Sequence, residues 1–399
     1  MNQLFNRVFR GDRILWVVLL LLSLVSMLIV YSATGKLAYR EAGGNTMYYL
    51  IRQFSFICLG FLVMIFMVNV IPLRLYSWLA PLLLLVTLLA LVAAVVQYRL
   101  DPSKATPRSL DLGLFSFQPA ELAKISLVMY VAKLLGKHQQ SEQELKKAFF
   151  WCTGATTLVC GIIFYGNVST SVLIGGSMLV LMFIGRVPLR FLAIPVGSVV
   201  LLMLLLYYTA DYLPEGAGRV HTFKERINDF IFGDEQQQLG TTQSDYARLA
   251  IFEGGVTGKG PGGSEVSNYM EAAYNDFIYA IIVEEYGWFG GFAVAFLFLV
   301  MFYRGVVVVK RATRTFPAFL AAGMIVTLIF QAFINMSVSA GVIPVTGQPL
   351  PWISVGGTSM VFTAFSFGVI LSVSYNSREK TPEALPPVMV NLPEEDQEI

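Results

Sequence analysis

The sequence predicts an all-α integral membrane protein with about ten transmembrane helices and a large outer loop between spans seven and eight. Of its 399 residues, 56% are hydrophobic and 14% are charged, and the mean hydropathy is +0.65. These values are far from those of a soluble domain. Apolar runs long enough to cross a bilayer recur along the whole chain, and positive charges flank alternate runs.

Of the nine connections between the ten predicted spans, one is much longer than the others. The spans lie near residues 14–32, 49–70, 75–97, 118–136, 149–166, 168–185, 190–209, 277–303, 317–336 and 355–375. Between spans seven and eight, residues 210–276 form a loop far longer than an ordinary connection. Apolar residues within it favour partial order, so we expect a functional segment.

The two ends of the chain are expected in the cytoplasm. Arg7, Arg10 and Arg13 precede the first apolar run, and no small-residue cleavage site ends that run, so the first span is kept. Positive charge then places residues 1–13 as a cytoplasmic N-terminus, followed by a membrane domain over 14–376. Residues 377–399 are rich in Pro and Glu and are predicted to form a disordered cytoplasmic tail.

Composition also argues against several classes of site. The net charge of +2 is uninformative, but no basic cluster rises above the loop flanks, so we expect no nucleic-acid partner. Cys58, Cys152 and Cys160 have no paired spacing, so they indicate neither a disulfide framework nor a metal site. Only His138 and His221 could supply imidazole ligands, and we therefore expect no metal centre built from histidine.

Glu121 and Lys124 are the first candidate site, because they place an acid and a base one helical turn apart in an apolar run. Charged side chains in a membrane span cost roughly 2.5–3.5 kcal/mol each on insertion scales, and at i and i+3 the two can neutralise each other. Pro119 starts this helix at the outer interface. Lys124 either binds a phosphate or sugar oxygen in a polar cavity, or the pair only orients neighbouring helices.

Asp276 is the second candidate, at the point where the long outer loop enters span eight. A carboxylate at the bilayer surface could act as a general base on a substrate hydroxyl. The alternative is that Asn275 or Asp276 simply caps the helix that follows. Glu284 and Glu285 lie further along the same helix, either as a proton relay or with one facing a polar cavity and the other bonding a neighbouring helix.

A glycine-rich stretch at residues 254–264 reads G-G-V-T-G-K-G-P-G-G-S. It is not a phosphate-binding loop of the Walker type, because Gly260 rather than Ser or Thr follows Lys259. We expect a flexible loop, in which Lys259 and the nearby Arg248 could still meet an anionic headgroup.

Residues 341–360 form the last candidate, with the sequence G-V-I-P-V-T-G-Q-P-L-P-W-I-S-V-G-G-T-S-M. Its prolines and glycines exclude a regular helix between two spans. Irregular backbone at membrane depth is tolerated where it is buried in protein or lines a wet cavity, so we expect a shaped cavity wall. Ser354, Gly356 and Gly357 are its candidate substrate contacts.

Three blocks in this order resemble the SEDS proteins (shape, elongation, division and sporulation), whose members include FtsW and RodA. They are Q-P-A-E-L-A-K at 118–124, N-D-F-I-Y-A-I-I-V-E-E-Y-G at 275–287, and P-V-T-G-Q-P-L-P-W-I-S-V-G-G-T-S at 344–359. The resemblance covers residues 12–378. The R-G-D start and Y-S-A-T-G at 31–35 look more like FtsW than RodA, which favours division over elongation.

The resemblance implies a peptidoglycan glycosyltransferase that polymerises lipid II at the outer face of the bacterial cytoplasmic (inner) membrane, at the division septum. It implies a class B penicillin-binding protein as partner, with other divisome membrane proteins. The family's essential aspartate falls on Asp276, which would take the proton from the acceptor hydroxyl. Undecaprenyl pyrophosphate leaves, and Lys124, Arg248 and Lys259 are the candidate cations for its charge. A divalent cation could share that role.

Two positions depart from the family pattern. Many relatives carry P-D-x-G-T in the fifth span, whereas this chain has Asn167 at the Asp and Ser169 at the Gly. Relatives often show Arg-Trp before the fourth span, of which Arg108 alone remains. The competing function is a flippase that moves lipid II across the membrane, and a third is a structural scaffold. A flippase should place polar sites across both leaflets, and this chain concentrates them on one face.

Overall fold

In the computed structural model, the described residues are 8–35, 39, 45–100, 108–111, 116–212, 221, 224–228, 230–231, 243–266, 269–270 and 274–378. Eleven α-helices account for most of them, and one long helix bends where two helices join at Gly287. The helices are α1 (Arg13–Ala33), α2 (Thr46–Val70), α3 (Leu73–Leu100), α4 (Pro119–Lys137), α5 (Glu142–Gly166), α6 (Val168–Ile184), α7 (Leu189–Thr209), α8 (Gln243–Gly254), α9 (Ile278–Arg311), α10 (Thr315–Ser339) and α11 (Thr358–Arg378).

The chain is an all-α integral membrane protein, and each predicted span falls on one of these helices. Eight of the helices in the described residues are long and apolar enough to cross a membrane. The other two predicted spans are α6, which has 17 residues, and α4, which carries the Glu121 and Lys124 charges. Helix α8 lies within the long loop and was not among the predicted spans.

Among the described residues, one element of secondary structure is a β-ladder and not a helix. Leu110–Asp111 (β1) pairs with Ser116–Phe117 (β2) as a small antiparallel ladder just before α4. The Gln97 amide at the end of α3 fixes this ladder, because it donates to the Asp111 carbonyl at 3.0 Å and accepts from the Asp111 N–H at 2.9 Å. The ladder leads the chain into α4 and places Arg108 beside it.

Helix starts follow local chemistry. Asp12 caps α1, accepting from the N–H groups of Ile14 and Leu15, and Ser141 caps α5 in the same way. Pro119 stands at the first turn of α4, as predicted, where its missing N–H costs nothing. Such starts fix the depth at which the side chains of each span lie.

Helix α10 is the centre of the bundle. It packs against α4, α6, α9 and α11, and 67% of its most apolar 18-residue stretch is buried inside the protein. Helix α7 is the opposite case, because only 6% of the corresponding stretch is buried and the helix contacts mainly α6. A polar side chain on α10 can therefore reach several elements at once, whereas α7 presents almost all of its surface to lipid.

The long loop is partly ordered, as expected. Helix α8 packs on α9, and residues 224–228 are helical. The predicted tail lies outside the described residues from residue 379 onward, as do residues 1–7 of the predicted N-terminus. The described part of the chain ends with α11, which extends to Arg378.

Candidate active site

Asp276 lies immediately before α9, half-buried, and does not cap that helix. The cap position is Phe277, which has no side-chain cap bond, so the helix-cap interpretation of Asn275 or Asp276 is wrong. One carboxylate oxygen, Oδ1, is buried and has no hydrogen-bond partner among the residues that the structure describes. Burial raises the pKa of Asp276 above its usual value, and the nearby charges of Arg108 and Arg226 lower that pKa in part.

The segment between α10 and α11 is a shaped loop, as predicted, and it holds the backbone around Asp276. The Ser354 hydroxyl donates to the Asn275 carbonyl at 2.7 Å, and the Val355 N–H donates to the Tyr274 carbonyl at 3.2 Å. Trp352, with a φ of +67°, buries its ring and donates from Nε1 to the Ser23 hydroxyl of α1 at 2.8 Å. The loop thus joins the start of α9 to the first helix.

Two side-chain amides on α10 hydrogen-bond to this loop. Asn335 Nδ2 donates to the carbonyls of Asp276, at 2.9 Å, and of Gln348, at 2.7 Å. Gln331 Nε2 donates to the Pro349 carbonyl at 2.9 Å. Since a buried carbonyl without a donor costs about 1–3 kcal/mol, these amides specify where the loop and Asp276 lie.

Buried polar atoms without partners gather at this place. Besides Asp276 Oδ1, they include Asn335 Oδ1 and Thr346 Oγ1. Asn335 bonds the Asp276 backbone, and Thr346 precedes Gly347, where an added Cβ would lie 3.4 Å from Asp276 Oδ2. Clustered unsatisfied groups of this kind are suited to a hydroxyl-bearing ligand.

A cavity of about 290 Å³, which we call the arginine cavity, opens beside this site. Most of its lining is apolar, and its polar wall consists of Arg108, Asn167, Ser169, Arg226 and Thr346. Arg226 donates from Nη1 to the Val345 carbonyl at 3.0 Å, and Arg108 Nη1 lies 4.0 Å from the position of a Cβ on Gly347. Two guanidinium groups therefore stand close to the carboxylate.

The Glu121–Lys124 pair is present and buried. Lys124 Nζ lies 2.8 Å from Glu121 Oε1, each side chain is 7% exposed, and Nζ also donates to Gln331 Oε1 at 2.6 Å. Through Gln331 the pair connects to the Pro349 carbonyl of the loop. These contacts fit the orienting role, and substrate binding by Lys124 stays a prediction.

The glycine-rich segment is packed rather than loose. The N–H groups of Lys259 and Gly260 donate to the carbonyls of Glu284 and Glu285, each at 2.9 Å. A Cβ on Gly258 would collide with the Glu285 carbonyl, which explains the glycine there. The expectation of a flexible loop is therefore wrong: the segment lies against the bend in α9 at Gly287.

Glu284 is fully buried and binds this segment. It accepts from Lys259 Nζ at 3.0 Å, from the Ser264 hydroxyl at 2.5 Å and from the Glu265 N–H at 3.1 Å. Lys259 also pairs with Glu253. Burial alone would lower the pKa of Lys259, but these two carboxylates raise it. Lys259 is thus a counterion of Glu284, and its contact with substrate stays a prediction.

The other carboxylate of this pair bonds a neighbouring helix. Glu285 accepts from the Ser32 hydroxyl of α1, as one of the two interpretations expected. Its Oε2 atom is buried without a partner in the described structure. Glu284 instead binds the glycine-rich segment, so neither carboxylate is paired with the other for proton transfer.

The remaining predicted contacts differ in accessibility. Arg248 is exposed on α8 and lies over Gly341, 3.5 Å from its carbonyl through Nη2. Ser354 is buried and uses its hydroxyl within the loop, donating to Asn275 and accepting from the Leu350 N–H. Gly356 and Gly357 are half-buried at the end of the loop, where Arg52 approaches Gly357. Substrate contact by these residues stays a prediction.

The sequence-based list missed four residues that the structure places at the site. Arg226 lies in the long loop, where nothing in its spacing marks it, and Arg108 was noted only as a remnant of a family motif. Gln331 and Asn335 had a usable signal, because two amides four residues apart interrupt an apolar span and share one helix face.

Comparison with known proteins gives one consistent family. A family model described as "Cell cycle protein" (FtsW, RodA, SpoVE) matches residues 12–379. A probable peptidoglycan glycosyltransferase FtsW of Geobacter metallireducens is 30% identical over 92% of this chain and 95% of its own. Peptidoglycan glycosyltransferase MrdB of Escherichia coli is 28% identical over 88% of this chain and 92% of its own.

The fold has a counterpart among solved structures. A chain from the study "Structural coordination of polymerization and crosslinking by a peptidoglycan synthase complex" superimposes with a TM-score of 0.73 at 23% sequence identity. The match covers 94% of this chain and 99% of that one.

Proposed function

This chain belongs to the cell cycle protein family of FtsW, RodA and SpoVE, and from that premise we propose that it is a peptidoglycan glycosyltransferase that polymerises lipid II at the outer face of the cytoplasmic membrane. Asp276 carries the proposal. Its carboxylate stands just before the start of a membrane helix, with a buried oxygen that none of the described residues satisfies. A general base needs such a free acceptor within reach of the substrate.

The proposed reaction is an inverting glycosyl transfer between two lipid II molecules. Asp276 accepts the proton of the acceptor's 4-hydroxyl, and the oxygen forms a bond to the donor's anomeric carbon. The bond from that carbon to the diphosphate oxygen breaks on the opposite face, and the electron pair leaves with undecaprenyl pyrophosphate. The protein's part is to position the acceptor and to hold the developing charge.

A divalent cation on the diphosphate is part of the proposal. Within the described residues, no three His, Cys, Asp or Glu side chains come together to hold a metal ion. Such an ion would therefore arrive with the substrate, and removal of divalent ions by a chelator should slow polymerisation by weakening leaving-group departure.

We further propose that the protein works in septal wall synthesis with a class B penicillin-binding protein and other divisome membrane proteins. The R-G-D start and the Y-S-A-T-G segment support division over elongation. The structural counterpart from a peptidoglycan synthase complex supports a crosslinking partner. Depletion should give filamentous cells with unfinished septa, whereas loss of rod shape would assign the protein to elongation.

The deciding experiment is glycan synthesis from purified lipid II in liposomes with the cognate penicillin-binding protein, comparing wild type with Asp276→Asn. We expect polymer from wild type and at least a hundredfold less from the variant, the usual contribution of a general base. The same activity in both proteins would remove Asp276 from the chemistry. No polymer from either, with lipid II moving between leaflets, would support the flippase instead.

A further inference from the structure

We propose that Asn335 is a positioning residue for the base: its side-chain amide holds Asp276 and the shaped loop at a set distance from each other, an inference that rests on the proposed function. Asn335 is fully buried on α10, the central helix of the bundle. Its Nδ2 donates to the Asp276 carbonyl at 2.9 Å and to the Gln348 carbonyl at 2.7 Å. A side-chain amide has two N–H donors, and both are used here on different segments of the chain.

The oxygen of this amide shows what the side chain is committed to. Asn335 Oδ1 is buried and bonds none of the described residues. A buried acceptor without a donor is costly, and the two neighbouring carbonyls can only be satisfied by the nitrogen. The orientation of the amide is therefore set by the two backbone contacts and not by its own oxygen.

The Asp276 contact completes a run of backbone bonds. Three successive carbonyls lead into α9, and each accepts a hydrogen bond from the loop or from α10. They are Tyr274, bonded by the Val355 N–H, Asn275, bonded by the Ser354 hydroxyl, and Asp276, bonded by Asn335. The backbone of the base is thus held before substrate arrives, while its carboxylate keeps a buried oxygen that no described residue bonds.

The Gln348 contact fixes the segment beside the carboxylate. Gln348 follows Gly347, where an added Cβ would lie 3.4 Å from Asp276 Oδ2. Asn335 bonds the backbone on both sides of this gap, through the Asp276 carbonyl on one side and the Gln348 carbonyl on the other. It is therefore placed to set the width of the gap in which the carboxylate stands.

The loop has other attachments, so loss of this amide should move the base more than the loop. Gln348 is buried, and its Nε2 donates to the Thr170 hydroxyl of α6 at 2.6 Å. Gln331, one turn earlier on α10, holds the next carbonyl, that of Pro349, at 2.9 Å. Without Asn335 the loop stays bonded to α6 and α10, whereas the Asp276 carbonyl loses the donor that joins it to α10.

The test measures kcat and KM for lipid II polymerisation by the full chain with its cognate penicillin-binding protein in liposomes. Asn335→Leu keeps the branched shape of the side chain and removes both donors. We expect kcat to fall about 10–100-fold with KM within about threefold of wild type, because a displacement of about 1 Å at a reacting group can cost 100-fold in rate. Asn335→Gln keeps the amide on a longer side chain and should give an intermediate kcat.

Asn69→Leu is the matched control. Asn69 Nδ2, near the end of α2, also donates to two backbone carbonyls, those of Val8 at 3.1 Å and Ile65 at 2.8 Å, but at the opposite end of the bundle. Its loss should lower Tm and leave kcat unchanged. An unchanged kcat in Asn335→Leu, or an equal loss in both variants, would overturn the assignment. A raised KM with unchanged kcat would make Asn335 a substrate contact and would also overturn it.

Hydrogen–deuterium exchange separates this inference from the proposed function, because it needs no turnover. In Asn335→Leu, exchange should become about tenfold faster in residues 274–283 and should change less in residues 348–355. No change, or a larger change in the loop, would overturn the inference. Wild type that makes no polymer would remove the proposed function, and the exchange rates would still decide whether Asn335 holds Asp276 in place.

Discussion

Two opposing influences act on the pKa of Asp276. Burial raises its pKa, and the charges of Arg108 and Arg226 pull that pKa back toward its usual range. The net effect is a carboxylate that is a better proton acceptor than one exposed to water, at a place where an acceptor hydroxyl could reach it. The two arginines thus influence the base as well as the cavity beside it.

The pH dependence of polymerisation should report this balance. We expect kcat/KM to fall on the acid side with a midpoint above the ordinary Asp value of about 4, because the base must be ionised. Arg226→Gln removes a cation and should move the midpoint further up. A midpoint at or below 4 in wild type, or a downward shift in the variant, would contradict this account.

Stability should change in the opposite direction from activity at this residue. Because the folded-state pKa is raised, the protonated carboxyl stabilises the fold below the unfolded pKa, and that contribution is lost as pH rises through the folded value. At neutral pH the ionised side chain is therefore a cost. Asp276→Asn should have a Tm equal to or above that of wild type, and a clearly lower Tm would show that the carboxylate is structural.

Gly347 should be sensitive because of its position against the carboxylate. Its φ is +64°, and an added Cβ would lie 3.4 Å from Asp276 Oδ2. Gly347→Ala should cost about 1 kcal/mol of stability from backbone strain and also reduce kcat by crowding the base. Gly255→Ala is the control, since its φ is +53° with open space around it. Equal loss of kcat in both variants would refute the crowding argument.

At the scale of elements, periodicity and charge predicted most of the bundle but not the contacts that shape the site. The apolar runs located the helices of the described residues, because a helix needs about 20 apolar residues to cross the hydrocarbon core. The packing of the glycine-rich segment could not be predicted, because it depends on the bend at Gly287, a backbone feature without a periodic signal. Asp276 was found from its position where the long loop enters span eight and from a family block, whereas Arg226 and the amides of α10 required the fold that brings them together.

The buried pair on α4 should behave as a unit. Glu121→Gln or Lys124→Met alone leaves a charge or an amide without its partner and should cost about 3–5 kcal/mol of stability. The Glu121→Gln/Lys124→Met double variant should cost less than the sum of the two single variants, measured as a double-mutant cycle of unfolding free energies. The exposed Glu142–Arg190 pair is the control and should contribute less than about 1 kcal/mol. Additive losses on α4 would show that the two charges act separately.

At the scale of the whole molecule, two ion pairs lie at the same end of the bundle. Asp12 at the start of α1 pairs with Arg304 near the end of α9, and Glu142 pairs with Arg190 at the starts of α5 and α7. All four residues are predicted to be cytoplasmic, whereas Asp276, Arg108 and Arg226 lie at the opposite end. This agreement supports the predicted alternation of the spans, and the assignment of this end to the cytoplasm stays a prediction.

The orientation can be tested with reporter fusions. Alkaline phosphatase fused within residues 210–276 should be active, and the same enzyme fused after residue 399 should be inactive while a fluorescent protein there should fluoresce. The two results together would place the long loop outside and the C-terminus inside. The reverse pattern would turn the whole bundle over and would separate Asp276 from the proposed substrate.

The attachment of the shaped loop to the first helix has a consequence for how the chain is made. Ser23 and Ser26 of α1 are satisfied by Trp352 and the Ile353 carbonyl, which are 329 and 327 residues later. At a synthesis rate of about 5–20 residues per second, α1 waits roughly 15–65 s for these partners. During that interval Ser23 can donate to the Leu19 carbonyl of its own helix and Ser26 can accept from Gln53 of α2, but the contacts with the loop are missing. Helix α1 is thus among the last helices to have its contacts completed, and a ribosome that stops before residue 350 leaves those contacts unformed.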